Sequence, residues 1–202
     1  HSGPDSVPAP ARDVPPVPAG HVRGRRREHG ELEPAHALTL RGIGREFGVS
    51  MTPAREAVRR LVAEGALQLS SSGRVSTPEL SPDRIEELAS IRALLEVELA
   101  SRALPRAHFA LIDRLQAING TIAQMIAARD AVGYIRTNLE FHRTLYLRAQ
   151  APAMLAMVET VWLQLGPTMR ALYGRLGRTE PPQHHRMILA AFKAGDEPGL
   201  RL

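Results

Sequence analysis

The sequence has no cysteine, a single lysine (Lys193) and no long hydrophobic run. The absence of cysteine excludes a disulfide framework, a thiolate zinc site, an iron–sulfur cluster and a cysteine nucleophile, so any metal ion must be held by His, Asp, Glu or Asn. A membrane-spanning helix needs ~18 or more consecutive apolar residues. The chain offers no such stretch, and its Pro-rich start has no apolar signal core. We therefore expect a soluble, cytoplasmic protein without a membrane partner.

The charge of the chain is modest. Its 202 residues carry 26 basic and 21 acidic side chains, which gives a formal net charge of +5. Charge alone therefore does not indicate a nucleic-acid partner. The length and the 44% hydrophobic content allow a small module joined to a larger one with a real core.

The residue pattern divides the chain into four segments. Residues 1–20 are Pro-rich and predicted to be disordered, 21–77 combine short helix signals with two strand-like runs, 78–82 form a linker, and 83–202 form an all-helical domain. Ser81, Pro82 and Asp83 are typical of a helix start. Apolar residues at three- and four-residue spacing then predict helices over 82–104, 109–129, 134–146, 154–173 and 183–194.

The second domain is predicted to be an antiparallel helical bundle, because no stretch after Ser81 alternates as a strand does. A further helix begins at Pro198, and we expect it to be cut short at Leu202. The fold class is therefore mainly α. Trp162 and its apolar neighbours at helical spacing are more typical of a core than of a ligand pocket.

The sharpest motif lies in the first module, at the turn Gly48-Val49-Ser50. The apolar residues on either side have helix-turn-helix spacing, Gly48 permits the tight turn, and Ser50 is placed to cap the second helix. The first turn of that helix would direct free N–H groups outward. Arg55 and Arg59 lie four residues apart on one face, where one can reach base edges while the other contacts a phosphate.

Two strand-like runs, 66–69 and 74–77, flank the small residues 70–73 and predict a hairpin, or wing. An isolated Gly-Val-Ser turn is equally typical of an ordinary helical hairpin. The arginine face and the wing together favour a winged helix-turn-helix that binds DNA.

This module resembles the GntR-type bacterial transcription regulators. The likeness extends from His29-Gly30-Glu31-Leu32-Glu33-Pro34 through the helix-turn-helix to the wing glycine. It implies operator contacts by the residues at five positions: Arg41, Ser50, Thr52, Arg55 and Gly73. Arg59 is added from helix geometry alone. The arginines at 23 and 25–27 are more typical of a solvated helix face than of a minor-groove arm.

One position departs from the family pattern. Where the family usually has an arginine that reads a guanine, this chain has Met51. Methionine cannot donate a hydrogen bond. We therefore expect this operator either to lack that contact or to be read there by apolar packing.

The bundle contains a candidate metal site. Asn138 and His142 lie four residues apart on one helix face. A lone His on an apolar helix is more often a hydrogen-bonded core residue. His184 and His185 at the start of another helix, with Arg92 on the first, favour a site, because imidazole and amide oxygen form a ligand set that suits Zn, Ni or Mn.

The bundle also resembles the FCD effector domain of the FadR-like branch of these regulators. The likeness lies in Ile91 to Glu96, Asn138 to Leu145, and His185 to Phe192 followed by Gly195-Asp196. In that family an Asp and three His hold a divalent metal ion, which binds a small carboxylate together with an arginine of the first helix.

The resemblance implies Asn138, His142 and His185 as metal ligands and Arg92 as the residue that binds the carboxylate. Asn138 replaces the usual carboxylate with a neutral, weaker oxygen ligand. The last histidine of the family pattern would fall beyond the end of the sequence. His184 is a poorer candidate, because neighbouring helical residues point about 100° apart.

The leading hypothesis is a homodimeric repressor that binds double-stranded operator DNA at half-sites about one turn apart. It would respond to a small carboxylate through a divalent metal ion. In the first alternative the bundle is structural, or binds another ligand class without metal. The second alternative is a metalloenzyme, but no general base is paired with the histidines at recognisable spacing, so we expect no enzyme.

Overall fold

The computed structural model describes residues 37–176 and 181–201. The Pro-rich segment, the arginines at 23 and 25–27 and the motif at 29–34 lie outside the described residues. The first module contains β1 (Ala37–Leu38), α1 (Leu40–Phe47), α2 (Met51–Ala63), β2 (Gln68–Leu69) and β3 (Val75–Ser76). The second contains α3 (Pro82–Ala103), α4 (Phe109–Ala127), α5 (Ala131–Tyr146), α6 (Pro152–Leu176), α7 (Gln183–Ala194) and the short α8 (Glu197–Leu200).

The turn between α1 and α2 depends on Gly48, whose φ of 61° and ψ of 30° are left-handed. Glycine adopts this conformation without a steric penalty, as the sequence predicted. Ser50 stands at the cap position of α2 with an extended backbone, but its side chain makes no capping hydrogen bond. The predicted side-chain cap is therefore wrong, and the Ser50 hydroxyl does not occupy the first-turn N–H groups of α2.

The wing is confirmed as a hairpin of β2 and β3, and β1 adds a third strand. β3 lies in the centre and pairs antiparallel with both neighbours, with Val75 opposite Leu38 and Leu69. β2 is shorter than predicted because the N–H groups of Ala66 and Leu67 both donate to the carbonyl of Leu61, at 2.8 and 3.1 Å. These bonds end α2 instead of beginning a strand.

The mainly α fold class is confirmed, and the bundle helices closely follow the predicted bounds. α3 begins at Pro82, where the Ser81 hydroxyl accepts a hydrogen bond from the N–H of Arg84 at 3.2 Å. α7 ends at Gly195, which has a φ of 65°. Phe109 is an exception to the predicted apolar pattern, because at the first position of α4 it is 87% exposed.

The bundle core is formed by residues from α3 to α8. Its members with no exposed surface are Leu99, Ala103, Leu115, Ile122, Phe141, Leu145 and Val158. A separate core fills the winged module, and α6 contributes Leu163 to it. α6 therefore packs in the bundle and also contacts the winged module.

Within the described part of the chain, none of the helices combines the length and hydropathy that crossing a membrane requires.

We expect Leu115→Ala to lower the free energy of unfolding by about 2–5 kcal/mol, because it removes a fully buried side chain and leaves a cavity. The control is Leu147→Ala, at a leucine that is 56% exposed, where the change should stay within about 0.5 kcal/mol. Urea unfolding followed by far-ultraviolet circular dichroism measures both. Equal losses in the two variants would contradict this core assignment.

Candidate DNA-binding face and effector site

Helix α2 has one buried face and one open face. Ala54, Val58 and Leu61 are buried against the winged-module core. Arg55 and Arg59 are exposed, and Nη1 of Arg59 donates to Oε1 of Glu56, three residues earlier, at 3.2 Å. The two arginines predicted to meet DNA therefore extend into solvent.

The other predicted DNA contacts are also exposed. Arg41 lies on α1, Ser50 and Thr52 lie at the start of α2, and Gly73 lies at the tip of the wing with a φ of 78°. Met51, at the position of the family's arginine, is 39% exposed. The exposed arginines at 45 and 74 belong to the same module, and sequence reasoning did not single them out.

A cavity of about 490 Å³ lies in the bundle, between α3, α5, α7 and α8. Its polar lining consists of Arg92, Glu96, His142, Tyr146 and His184. The rest of its wall is formed by small and apolar side chains. This cavity has the size and the mixed lining that small-molecule sites usually have.

The carboxylate of Glu96 accepts hydrogen bonds from three other side chains. Nε of Arg92 donates to Oε1 at 2.6 Å, and its Nη2 approaches Oε2 at 3.4 Å. The Tyr146 hydroxyl donates to Oε2 and the Trp162 indole N–H to Oε1, both at 3.0 Å. Trp162 is therefore a buried core residue, as expected, and also a donor beside the cavity. A helical sequence pattern carries no signal for such a bond, since Trp162 stands 66 positions from Glu96.

The network shifts the pKa values of its members. Burial acts to lower the pKa of Arg92, but the charge and the hydrogen bonds of Glu96 outweigh it and raise that pKa. Burial raises the pKa of Tyr146 well above its usual value, and Glu96 raises it further. Burial lowers the pKa of His142 well below its usual value, and the neighbouring Arg92 and His184 lower it further. His142 is therefore neutral at physiological pH.

Hydrogen bonds fix the tautomers of two buried histidines. The Tyr146 hydroxyl donates a hydrogen bond to Glu96, so its oxygen accepts one from Nδ1 of His142, 3.1 Å away. Nδ1 of His185 donates to the amide oxygen of Asn119, also at 3.1 Å. In a neutral imidazole, a proton on Nδ1 leaves Nε2 with a lone pair. The two Nε2 atoms face each other at 3.1 Å, so with both rings neutral two lone pairs would be opposed.

A metal ion fits this arrangement. Two imidazole nitrogens on one ion, each at about 2.0–2.1 Å, lie about 3.0–3.4 Å apart for ordinary bond angles. The separation of 3.1 Å lies in that range. Partners that hold the second ring nitrogen, as Tyr146 and Asn119 do, are typical of metal-ligating histidines.

The structure also brings His184 close to this pair. Ligand nitrogens of His142, His184 and His185 all lie within 4.8 Å of one another. Although neighbouring helical residues point about 100° apart, the rings of His184 and His185 at the first turn of α7 both reach His142 on α5. Asn138 lines a smaller neighbouring cavity with Arg92 and Trp162, and its Oδ1 is buried without a hydrogen bond from the described residues.

Two family descriptions match the chain. "Bacterial regulatory proteins, gntR family" matches residues 28–75, and "FCD domain" matches residues 87–202. The second covers more than half of the sequence. The chain belongs to the GntR family of regulators, in the branch with an FCD domain. It is a transcriptional regulator and not an enzyme, as expected.

Named relatives of this GntR-family regulator agree with that result. The chain is 29% identical to the HTH-type transcriptional regulator McbR of Escherichia coli (strain K12) over 175 residues, 85% of this chain and 79% of the relative. A solved structure of E. coli McbR/YncC has a TM-score of 0.80 and 27% identity, covering 91% of this chain and 88% of that chain. The gluconate operon transcriptional repressor of Bacillus subtilis (strain 168) is 29% identical over 142 residues, which are 70% of this chain and 56% of that protein.

We expect Glu96→Ala to lower the free energy of unfolding by about 3 kcal/mol, because it leaves the half-buried guanidinium of Arg92 without its partner. Glu98, two residues along α3, forms ion pairs with Arg102 and Arg201 at the surface, so Glu98→Ala should change stability little. Thermal and urea unfolding compare the two variants. If Glu96→Ala and Glu98→Ala lower the free energy of unfolding by the same amount, the network around Glu96 does not stabilise the bundle as expected.

Proposed function

We propose that this GntR-family regulator is a homodimeric repressor whose bundle senses a small carboxylate through a bound divalent metal ion. The observation that carries the proposal is the pair of opposed imidazole nitrogens of His142 and His185, 3.1 Å apart. Its DNA-binding role follows from the family. The metal, the carboxylate and repression are the proposed parts, with the cytoplasm as the compartment.

The opposed lone pairs favour a cation between the two rings. A shared proton would make one imidazole positive, and both the burial of His142 and the nearby charge of Arg92 oppose that. His142 and His185 would hold the ion, with Asn138, as the family resemblance implies, or His184 as a further ligand. When bound, the ion supplies a positive charge that attracts a carboxylate oxygen. Zn, Ni and Mn suit these ligands.

Arg92 supports the carboxylate part of the proposal. Its guanidinium lines the cavity together with His142 and His184, so an acid there would meet both Arg92 and the proposed metal ion. A guanidinium binds a carboxylate with two parallel hydrogen bonds, and Glu96 occupies that position in this structure. An incoming acid would therefore compete with Glu96 for Arg92.

The open face of α2 supports operator binding through Arg55, Arg59 and Thr52, with Arg41, Ser50 and Gly73 as further contacts. In a homodimer two such helices would meet half-sites about one DNA turn apart. The carboxylate must bind the DNA-competent and DNA-incompetent states with different affinity, since equal affinity would shift no population. The name of the B. subtilis relative, an operon repressor, favours repression.

A structural bundle without metal is the second candidate. It is favoured by the neutral side chain of Asn138 and by the fact that Arg92 already has a carboxylate partner in Glu96. On this alternative, metal removal would lower stability or do nothing, and small acids would never change DNA binding.

We expect Arg55→Ala to weaken binding to an operator duplex by about 1–3 kcal/mol and to relax specificity at one base pair. The reason is that an arginine on the open face of α2 can hydrogen-bond a base edge. The control is Arg136→Ala on α5, an exposed arginine of the bundle. Fluorescence anisotropy with a duplex selected from a random library measures both. Unchanged affinity in the Arg55 variant would contradict this interface.

We expect the purified protein to bind Zn²⁺ in isothermal titration calorimetry, and His142→Ala to abolish that binding. Tyr146→Phe should weaken it by about 10- to 100-fold, because it removes the group that holds Nδ1 of His142. His108→Asn is the control, since His108 caps α4 through its side chain and asparagine also caps helices well.

The same protein, loaded with Zn²⁺, should change its operator affinity with one or more of acetate, lactate, gluconate, benzoate and citrate. Arg92→Ala should lose that response while still binding Zn²⁺. Zinc binding that is equal in the His142 and His108 variants would reject the metal site. Zinc binding without any response to acids would reject the carboxylate part alone.

A further inference from the structure

Three consecutive residues of α6 contact three different parts of the molecule. The Trp162 indole donates to Glu96 at 3.0 Å, beside the cavity. Leu163 is buried in the core of the winged module, together with Val58 and Leu61 of α2. Gln164 contacts the backbone just after α2. Because successive helical residues point about 100° apart, one turn of α6 reaches both modules.

Gln164 holds the end of α2 with a specific hydrogen bond. Its Nε2 donates to the main-chain carbonyl of Glu64 at 2.9 Å, directly after the last residue of the helix. Its Oε1 accepts from Nη2 of Arg84 on α3 at 3.1 Å. The contact is close, since a Cβ atom at Gly65 would lie 3.2 Å from Nε2 of Gln164. Gln164 therefore fixes the carboxyl end of α2 against the bundle.

Trp162 connects this turn of α6 to Glu96, the carboxylate that an acid would displace from Arg92. Trp162 and Arg92 donate to the same oxygen, Oε1 of Glu96. A carboxylate that takes Arg92 from Glu96 changes the position or the charge environment of that oxygen. The indole N–H of Trp162, which is 3% exposed, would then need to follow Glu96 or lose its acceptor.

The hydrogen-bond ladder of α6 is interrupted in this region. Pro167 lies inside the helix, and because proline has no N–H it cannot bond the carbonyl of Leu163, four residues earlier. The residue before it is Gly166, which carries no side chain to hold the backbone. Interior prolines are the usual sites at which helices bend. The turn that joins the two modules therefore lacks one backbone hydrogen bond of the helix.

We propose that Trp162, Leu163 and Gln164 form a coupling segment that transmits the state of the Arg92–Glu96 pair to helix α2, with Gln164 as its positioning residue. When Glu96 holds both Arg92 and Trp162, Gln164 keeps the end of α2 in one orientation. When Arg92 is drawn away, the segment shifts at the Pro167 interruption and α2 is released or turned. This inference rests on the proposed function, because it takes Arg92 and Glu96 as the ligand-sensitive pair.

A double-mutant cycle tests the coupling without any ligand. Glu96→Gln removes the charge that holds Arg92, and we expect it to change operator affinity by about fivefold or more in the wild-type background. In the Gln164→Ala background, the same Glu96 change should have no measurable effect. Gln124→Ala, at an exposed glutamine of α4, is the matched control background. In that background Glu96→Gln should change operator affinity as much as it does in the wild type.

Gln164→Glu provides a second variant of the same size. It keeps an acceptor for Arg84 but replaces the donor to the Glu64 carbonyl with a carboxylate, so it should uncouple the two sites as Gln164→Ala does. Thermal unfolding shows whether each variant is folded. If Gln164 has a purely structural role, its variants will melt at a lower temperature. The ratio of operator affinities with and without Glu96→Gln will then be the same as in the wild type.

Calorimetry with Zn²⁺ alone separates this inference from the proposed function. If the Gln164 variants bind Zn²⁺ like the wild type and lose the Glu96 effect, the coupling is supported. The coupling is overturned if Glu96→Gln changes operator affinity equally in all backgrounds, or in none. Absence of Zn²⁺ binding in the wild type would instead count against the metal site, and the cycle would still decide whether Gln164 couples the modules.

Discussion

The carboxylate of Glu96 is the group on which the effector domain depends. It neutralises the half-buried guanidinium of Arg92 and accepts hydrogen bonds from Tyr146 and Trp162. A buried ion pair of this kind adds little net stability over an apolar pair, but it is costly to break. Arg92 is therefore expected to leave Glu96 only for another anion, which is why we propose an acid as the ligand of this cavity.

The same carboxylate also orders the histidines. Because Glu96 accepts a hydrogen bond from the Tyr146 hydroxyl, the tyrosine oxygen accepts one from Nδ1 of His142, and Nε2 of His142 is left to face Nε2 of His185. Asn119 imposes the matching tautomer on His185. The proposed cation site and the proposed anion site thus share one hydrogen-bond network. A metal ion and a carboxylate bound there would stabilise each other, since each would supply the charge that the other lacks.

Local sequence signals predicted most of the fold and few of the contacts in the site. Gly48 and Gly195 permit the left-handed backbone found at those helix ends, and Ser81-Pro82 is typical of a helix start, so the sequence predicted those boundaries. The two-residue strand β1 has no periodicity to detect. Asn119, Trp162 and Gln164 meet partners 66 to 100 positions away, so only the packed structure reveals their bonds. The cluster with His184 depends in the same way on how α7 packs against α5.

The most direct test of this account uses the one tryptophan of the chain, Trp162, whose indole N–H donates to Glu96. The Zn²⁺-loaded protein would be titrated with the acid that changes operator affinity, and tryptophan emission recorded. The account predicts a saturable change in emission at the concentrations at which calorimetry detects binding, and no change in Arg92→Ala. Binding of the acid that left Trp162 emission unaltered would contradict the exchange of carboxylates at Arg92.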